Sequence, residues 1–512
     1  MSKKIIFIAF VVSLGGFLFG FDAGIISGVM SYAGPEFMLT ELQSGWVVSS
    51  PSFAAMIAML IAGKLSDRIG RKKILIVVAL LYAVSAYLSA IASSYEMLYI
   101  ARMIGGLAFG AALILAPAYI AEISSAENRG KLVSLQQLNI VFGFFAAFIS
   151  NYYFNKVNTS GSEFLSDENV WRWMLGVELL PALVYFIFMF FVPRSPRWLY
   201  NQNLTEEAKN ILNNIYGKEV AKIELKAMEN ADHSNDKKTS FKELFSPALR
   251  YIVLIGLTIG ILQQITGINA VYFYATSIFK QTGIGTDASF SSGVLLSFTT
   301  VVFTFAAIFL IDKMGRRPLL VFGMAGIAIS LLTCAYGFHT AKYQLTSENI
   351  QQVELKGMEA EDLRKEFDIL YEDDLAFKGA MKNLLGESIY AKNEGAILEA
   401  ATEMNSLLVL IGILGFIACF AFSLGPVMWV LLSELYPIRI RGLAIGVIGF
   451  VNSFTSWLIQ QIFPWELSHL GNALTFFIFG AIAFVGFIVM YKTLPETKGK
   501  TLEELELEMI NR

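Results

Sequence analysis

The sequence predicts an all-α membrane protein of twelve transmembrane helices arranged as two pseudo-symmetric bundles of six. Three observations lead there. Hydrophobic residues make up 55% of the 512-residue chain and charged residues 16%, a balance that suits helices facing lipid and one another. Twelve apolar runs emerge from a sliding window of about 19 residues. Charged motifs of the first half recur in the second.

The first run, 5–30, follows MSKK and carries no small-residue cleavage site, so it reads as a retained span and not as a removable signal peptide. The next five cover 44–63, 74–93, 97–121, 132–153 and 173–192. The second six cover 248–279, 290–311, 318–338, 405–432, 441–463 and 471–491. This gives an N-terminal bundle (1–192), a helix-prone linker (193–247) and a C-terminal bundle (248–512). In the linker, Thr205 is placed to cap TEEAKNILNNIYG and Gly217 to end it. The C-terminal bundle is interrupted at 341–404 by a segment with 14 acidic and 7 basic residues, expected to be a helical insertion.

Net charge, −3, matters less here than its distribution. Lys64, Arg68, Arg71, Lys72 and Lys73 follow the second run, Arg129 and Lys131 the fourth, and Lys313, Arg316 and Arg317 the eighth, whereas the loop after the first run holds Glu36 and Glu41 and no Lys or Arg. The positive-inside rule puts the basic loops in the cytoplasm, both termini with them, and 341–404 outside. Cys334 and Cys419 lie in apolar runs and read as small hydrophobes. The three His (233, 339 and 469) are scattered, so no metal site is expected. No nucleophile with a base and no nucleotide-binding glycine loop is evident, which argues against an enzyme and leaves no cofactor.

The repeat is visible residue by residue. GKLSDRIGRKK (63–73) is echoed by FLIDKMGRRP (309–318), with Asp67 four residues before Arg71 and Asp312 four before Arg316. Glu122 precedes Arg129 by seven, and Glu434 precedes Arg441 by seven. Together with Arg197 these charges form a candidate cytoplasmic gate, pairing across the two bundles when that side is shut and separating when it opens.

Two intramembrane features carry chemistry. In GGFLFGFDAGIISG (15–28) Asp22 sits inside an apolar run, and a carboxylate there needs a partner. Gly16, Gly20, Gly24 and Gly28 recur every four residues as a smooth packing face, which turns Asp22 into the protein. Arg102 and Glu178 are its candidate partners: counted at 1.5 Å per residue, Arg102 and Asp22 lie at the same depth, roughly 10–15 Å from the outer end. On the seventh run Gln263, Gln264 and Asn269 cluster within about two turns. Amides both donate and accept, as sugar hydroxyls do.

These residues resemble the sugar porter family of the major facilitator superfamily. The resemblance is carried by DRIGRK and DKMGRR, by Ile104, Gly106, Gly110, Tyr119, Glu122 and Arg129 in order, by QQITGIN (263–269), by FAFSLGPVMWVLLSELYP (420–437) and by PETKGKTLEELE (495–506). It implies the major facilitator fold and, from the pattern at 420–437, a bacterial proton-coupled pentose or hexose symporter. It further implies that Gln137, Trp429 and Asn452 complete a sugar pocket with Gln263, Gln264 and Asn269, that Phe19 and Phe420 are its apolar walls, and that Asp22 and Arg102 couple transport to protons. The chain departs from the pattern at Arg194, where the family usually has Glu, at Thr300 and Ser453, where Asn and an aromatic are common, and in the insertion at 341–404.

The expectation is therefore a proton-coupled, xylose-like monosaccharide importer of a bacterial inner membrane, working by alternating access as a monomer, with a sugar, protons and the bilayer as its partners and no nucleic acid. A passive facilitator of the same fold and a non-transporting sugar sensor are the alternatives.

Overall fold

The computed structural model describes residues 3–498 apart from 126–127, 162, 233–243, 245, 247–248 and 437. Among the described residues twelve helices are long and apolar enough to cross a membrane. Spans one to six are Lys3–Glu36, Glu41–Ile69, Arg71–Ala90, Tyr95–Ile123, Arg129–Thr159 and Val170–Met189. Spans seven to twelve are Arg250–Phe273, Thr286–Ile311, Arg316–His339, Ser406–Leu435, Ile440–His469 and Gly471–Thr493. Two compact units divide the chain: one comprises Met1–Ile25, Ser50–Ala147 and Arg172–Lys238, the other Ile26–Ser49, Phe148–Trp171 and Thr239–Arg512.

Within the first unit the glycine face of span one lies directly on span five. A Cβ at Gly20 would stand 2.0 Å from the Ile140 carbonyl oxygen, and one at Gly143 would stand 2.0 Å from that of Phe17. The two backbones touch, so any larger residue must push the helices apart. Asp22 lies about 200° around the helix from Gly20 and so faces away from span five.

Three spans are broken, each beside a candidate site residue. Span six consists of helices Val170–Gly176 and Leu179–Met189 with Glu178 at the junction. Span seven stops at Ile265 and restarts at Ile268. Gly267 makes that turn with φ 85°, where a Cβ would also strike the Phe479 ring at 2.8 Å. Span ten breaks at Ser423, between helices Ser406–Phe422 and Leu424–Leu435. Interrupted helices free backbone groups inside the membrane and are tolerated where protein or a cavity satisfies them.

The linker helices include Thr205–Tyr216, ended by Gly217 as expected. Thr205 does not cap this helix: it is the first helical residue, Leu204 occupies the cap without a side-chain bond, and Asn203 before it is left-handed (φ 61°). The segment at 341–404 is likewise not simply helical. Strands β1 (Lys342–Gln344), β2 (Leu370–Tyr371) and β3 (Thr402–Glu403) form an antiparallel sheet in the order β2-β1-β3. Helices Asp374–Leu385 and Glu387–Ala401 pack with it around Tyr343, Leu345, Leu363, Phe377, Met381 and Ile397. The insert therefore has a hydrophobic core of its own.

Candidate functional site

In the first unit the predicted partner of Asp22 is found. Arg102 Nη1 lies 3.0 Å from Asp22 Oδ1, with the two side chains 2% and 7% exposed. Glu178, 3% exposed, interacts electrostatically with both. Tyr82 and Tyr185 were not anticipated. The Tyr82 hydroxyl donates to the Gly15 carbonyl at 3.0 Å. Among the described residues the buried Tyr185 hydroxyl has no hydrogen-bond partner, and it lies 3.1 Å from where a Cβ on Gly15 would be. Phe19 packs on Phe109, ring centroids 4.7 Å apart. Gln137 is exposed, whereas its neighbour Gln136 is buried against Gly16 with its side-chain oxygen unpartnered among the described residues.

In the second unit the amides of spans seven and eleven form one network. Asn269 Nδ2 donates to Gln264 Oε1 (2.9 Å) and to Ser456 Oγ (2.6 Å). Gln264 Nε2 reaches Gln263 Oε1 and Asn452 Oδ1, both at 3.3 Å. Asn452 Nδ2 donates to Gln263 Oε1 (2.7 Å) and to the Gly260 carbonyl (2.8 Å). Gln263 Nε2 ties the network to span ten by donating to the Leu424 carbonyl at 2.9 Å, one residue past the break at Ser423. Gln263 is thus engaged through both ends of its amide. The N–H bonds of Gln264 are long, 3.3 Å each, and Asn269 is partly exposed, so those two are held less tightly than Gln263. Gln460 extends the row by donating to Ser456 Oγ at 2.8 Å. Residues 452, 456 and 460 recur every four positions, the signal by which Ser456 and Gln460 could have been found. Trp429 is 42% exposed and lies over Gly449. Phe420 is half-buried. Thr300, one of the departures, shares a hydrogen bond of 2.5 Å with Tyr272.

The repeated charges pair within each unit. Arg71 binds Asp67 (2.6 Å) and Glu122 (3.0 Å), and Ser195 Oγ donates to the other Glu122 oxygen. Arg316 binds Glu434 (2.8 Å), and Thr497 Oγ1 donates to that carboxylate at 2.6 Å. Each arginine also donates Nη1 to the carbonyl five residues back, Ser66 or Ile311, at 3.1 Å. The repeat therefore aligns Ser195 with Thr497 and, one residue earlier, Arg194 with Glu496. Glu496 accepts the backbone N–H groups of Arg316 and Arg317, both at 3.2 Å. Its counterpart Arg194 instead lines a small cleft with Arg71, Lys72 and Lys73 and pairs with Glu207 at 3.5 Å. Arg129 and Arg197 are exposed. Arg441 donates Nε to the Tyr436 carbonyl and buries Nη2 without a partner among the described residues. The side chain of Asp312 lies outside those described.

The family model described as "Sugar (and other) transporter" matches residues 8–354 and 379–508. The chain belongs to the sugar porter family of the major facilitator superfamily. It is accordingly a transporter and not an enzyme. It is 33% identical over 502 residues to the arabinose-proton symporter of Bacillus subtilis, covering 98% of this chain and 94% of that protein. It is 31% identical over 511 residues to the glucose transporter GlcP of Staphylococcus epidermidis, covering 100% and 98%. Among solved structures it is similar to the inward open conformation of the xylose transporter XylE from E. coli, with TM-score 0.75 and 28% identity over 98% of this chain and 99% of that one. The family model leaves out residues 355–378, inside the segment read from the sequence as a departure from the family pattern.

Proposed function

We propose that this sugar porter imports a monosaccharide, a pentose or hexose of xylose-like size, together with protons by alternating access. The observation that carries the coupling is the buried Asp22–Arg102 pair with Glu178 beside it. A neutral sugar has no use for an ion pair, and burying one is costly. A carboxylate that is charged in one state and protonated in another gives the pair a purpose. Protonation of Asp22 removes its attraction for Arg102 and loosens span one from span four, and deprotonation restores the link. The amides of Gln264, Asn269 and Asn452, with the exposed Trp429, supply the donors, acceptors and aromatic face that sugar hydroxyls and a ring require. The charge networks at Arg71 and Arg316 form the gate at the basic end.

The basic loops favour an orientation with both termini in the cytoplasm and the insert outside, in a bacterial inner membrane, the protein acting as a monomer. The relatives that carry arabinose, glucose and xylose in their names support the substrate class. The test is uptake by purified protein in liposomes of labelled xylose, arabinose and glucose, with and without an imposed pH gradient. Accumulation above the external concentration that a protonophore abolishes is expected. Equilibration without accumulation would make the protein a passive facilitator, and binding without uptake a sensor.

A further inference from the structure

The insert at 341–404 takes no part in the amide network or in the charge pair, yet it is fastened at one place and reaches out at another. It is fastened to the second-half spans. Asp374 Oδ2 accepts both the backbone and the side-chain N–H of Asn472 (3.3 and 2.8 Å) at the start of span twelve. Gln281, in the connection between spans seven and eight, donates to Glu394 at 3.2 Å.

From this base Lys356 pairs with Asp167, in the connection between spans five and six. Lys356 does not dangle. Its backbone N–H donates to Asn393 Oδ1 at 2.6 Å and its carbonyl accepts from Asn393 Nδ2 at 3.0 Å, while Asn393 itself is fully buried. Asp167 is held from the other side by Asn158 Nδ2 at 2.8 Å. Its two oxygens are thus divided between its own half and the insert. Lys280, which also faces Glu394, is a second cation toward Asp167. At the same end Asn155 and Thr159 of span five donate to Asp287 of span eight (2.5 and 3.4 Å), and Ser27 of span one shares a hydrogen bond with Thr276 (3.0 Å).

We propose that the insert is an outer latch: a folded strap carried by the second-half spans that holds the connection between spans five and six, through Lys356 and Asp167, while the outer side is shut. The pair is half exposed, 51% and 41%. Such pairs are weak, which suits a contact that must release in every cycle, whereas a buried pair would trap the closed state. The latch rests on the alternating-access reading above.

The test places spin labels on cysteines at the exposed Ser160 and Ser388, with Cys334 and Cys419 replaced by Ala, and reads the distance distribution between them by pulsed electron resonance. Asp167→Asn and Lys356→Gln should each raise the ratio of the long-distance to the short-distance population by about two- to fivefold, the scale of an exposed ion pair. Lys356→Gln should add nothing in the Asp167→Asn background. Unchanged ratios, or effects that add, would overturn the latch while leaving alternating access standing. A single distance in the unsubstituted pair of labels, with and without sugar and at every pH, would overturn both.

Discussion

If Asp22 carries the coupling as proposed, replacing it by Asn should separate coupling from binding. The substitution keeps the shape of the side chain and an acceptor oxygen toward Arg102, 3.0 Å away, but removes the charge. Breaking a buried pair costs about 3–5 kcal/mol when the remaining charge is left uncompensated. Here Glu178 still acts on Arg102, so the loss should be closer to that of one charge-assisted hydrogen bond, roughly 1.5–3 kcal/mol, and the protein should fold. The functional loss is larger. One proton moving through 100 mV supplies about 2.3 kcal/mol, which corresponds to roughly fifty-fold accumulation of a neutral sugar at one proton per sugar. Asp22→Asn should bring accumulation in energised liposomes down to equilibration and flatten its dependence on external pH. Sugar binding, read by tryptophan fluorescence or calorimetry, and counterflow exchange should survive. Accumulation by the variant to the wild-type level would show that Asp22 only neutralises Arg102, and would move the coupling role to Glu178.

In the amide network, Gln264→Ala should weaken sugar binding by about 1–3 kcal/mol, the cost of a buried hydroxyl left unpaired, and Trp429→Ala should act in the same direction; unaltered calorimetric affinity in both would take spans seven and ten out of the pocket. A cysteine at Ser388 should react with a membrane-impermeant thiol reagent on intact spheroplasts, and labelling only after lysis would reverse the orientation. Arg194→Glu should place a carboxylate where Glu496 stands in the other half and stabilise the start of span three by about 0.3–1 kcal/mol, read as slower hydrogen exchange at Arg71 and Lys72; faster exchange would break the alignment of Arg194 with Glu496.

What was legible in the sequence is what the bilayer and the chemistry force. A span needs about 20 apolar residues, so all twelve could be placed. A helix rises by a constant 1.5 Å per residue, so the depths of Asp22 and Arg102 could be matched before their contact was known. The glycine face of span one was legible because a spacing of four returns to the same side of a helix. What escaped was set by packing. Tyr82 and Tyr185 converge on Gly15 from spans three and six, and nothing in their local sequence separates them from tyrosines that anchor at a membrane surface. The breaks at Glu178 and Ser423 each fall three residues before a proline, Pro181 and Pro426, which has no N–H to give to the preceding turn, so their cause stands in the sequence as plainly as Gly267. Strands of two and three residues are too short to show the alternation that marks a half-buried strand, and so the insert read as helical.

The two halves repeat a backbone but not a chemistry, and that difference was the most readable part of the site. The first unit holds a carboxylate, a guanidinium and a second carboxylate, all buried; the second holds four amides that hydrogen-bond one another. A proton can be carried only by a group that titrates, whereas a sugar is best held by neutral groups that donate and accept without demanding a counter-charge. On the proposed function, residue type alone places the proton at spans one, four and six and the sugar's hydroxyls at spans seven and eleven. Gln263 refines that assignment: engaged at both ends of its amide, and bonded to the Leu424 carbonyl beside the break in span ten, it positions the network. Gln263→Ala should consequently weaken binding through Gln264 and Asn452, and its effect should fail to add to that of Gln264→Ala. Full additivity in calorimetric affinities would make Gln263 a direct contact instead.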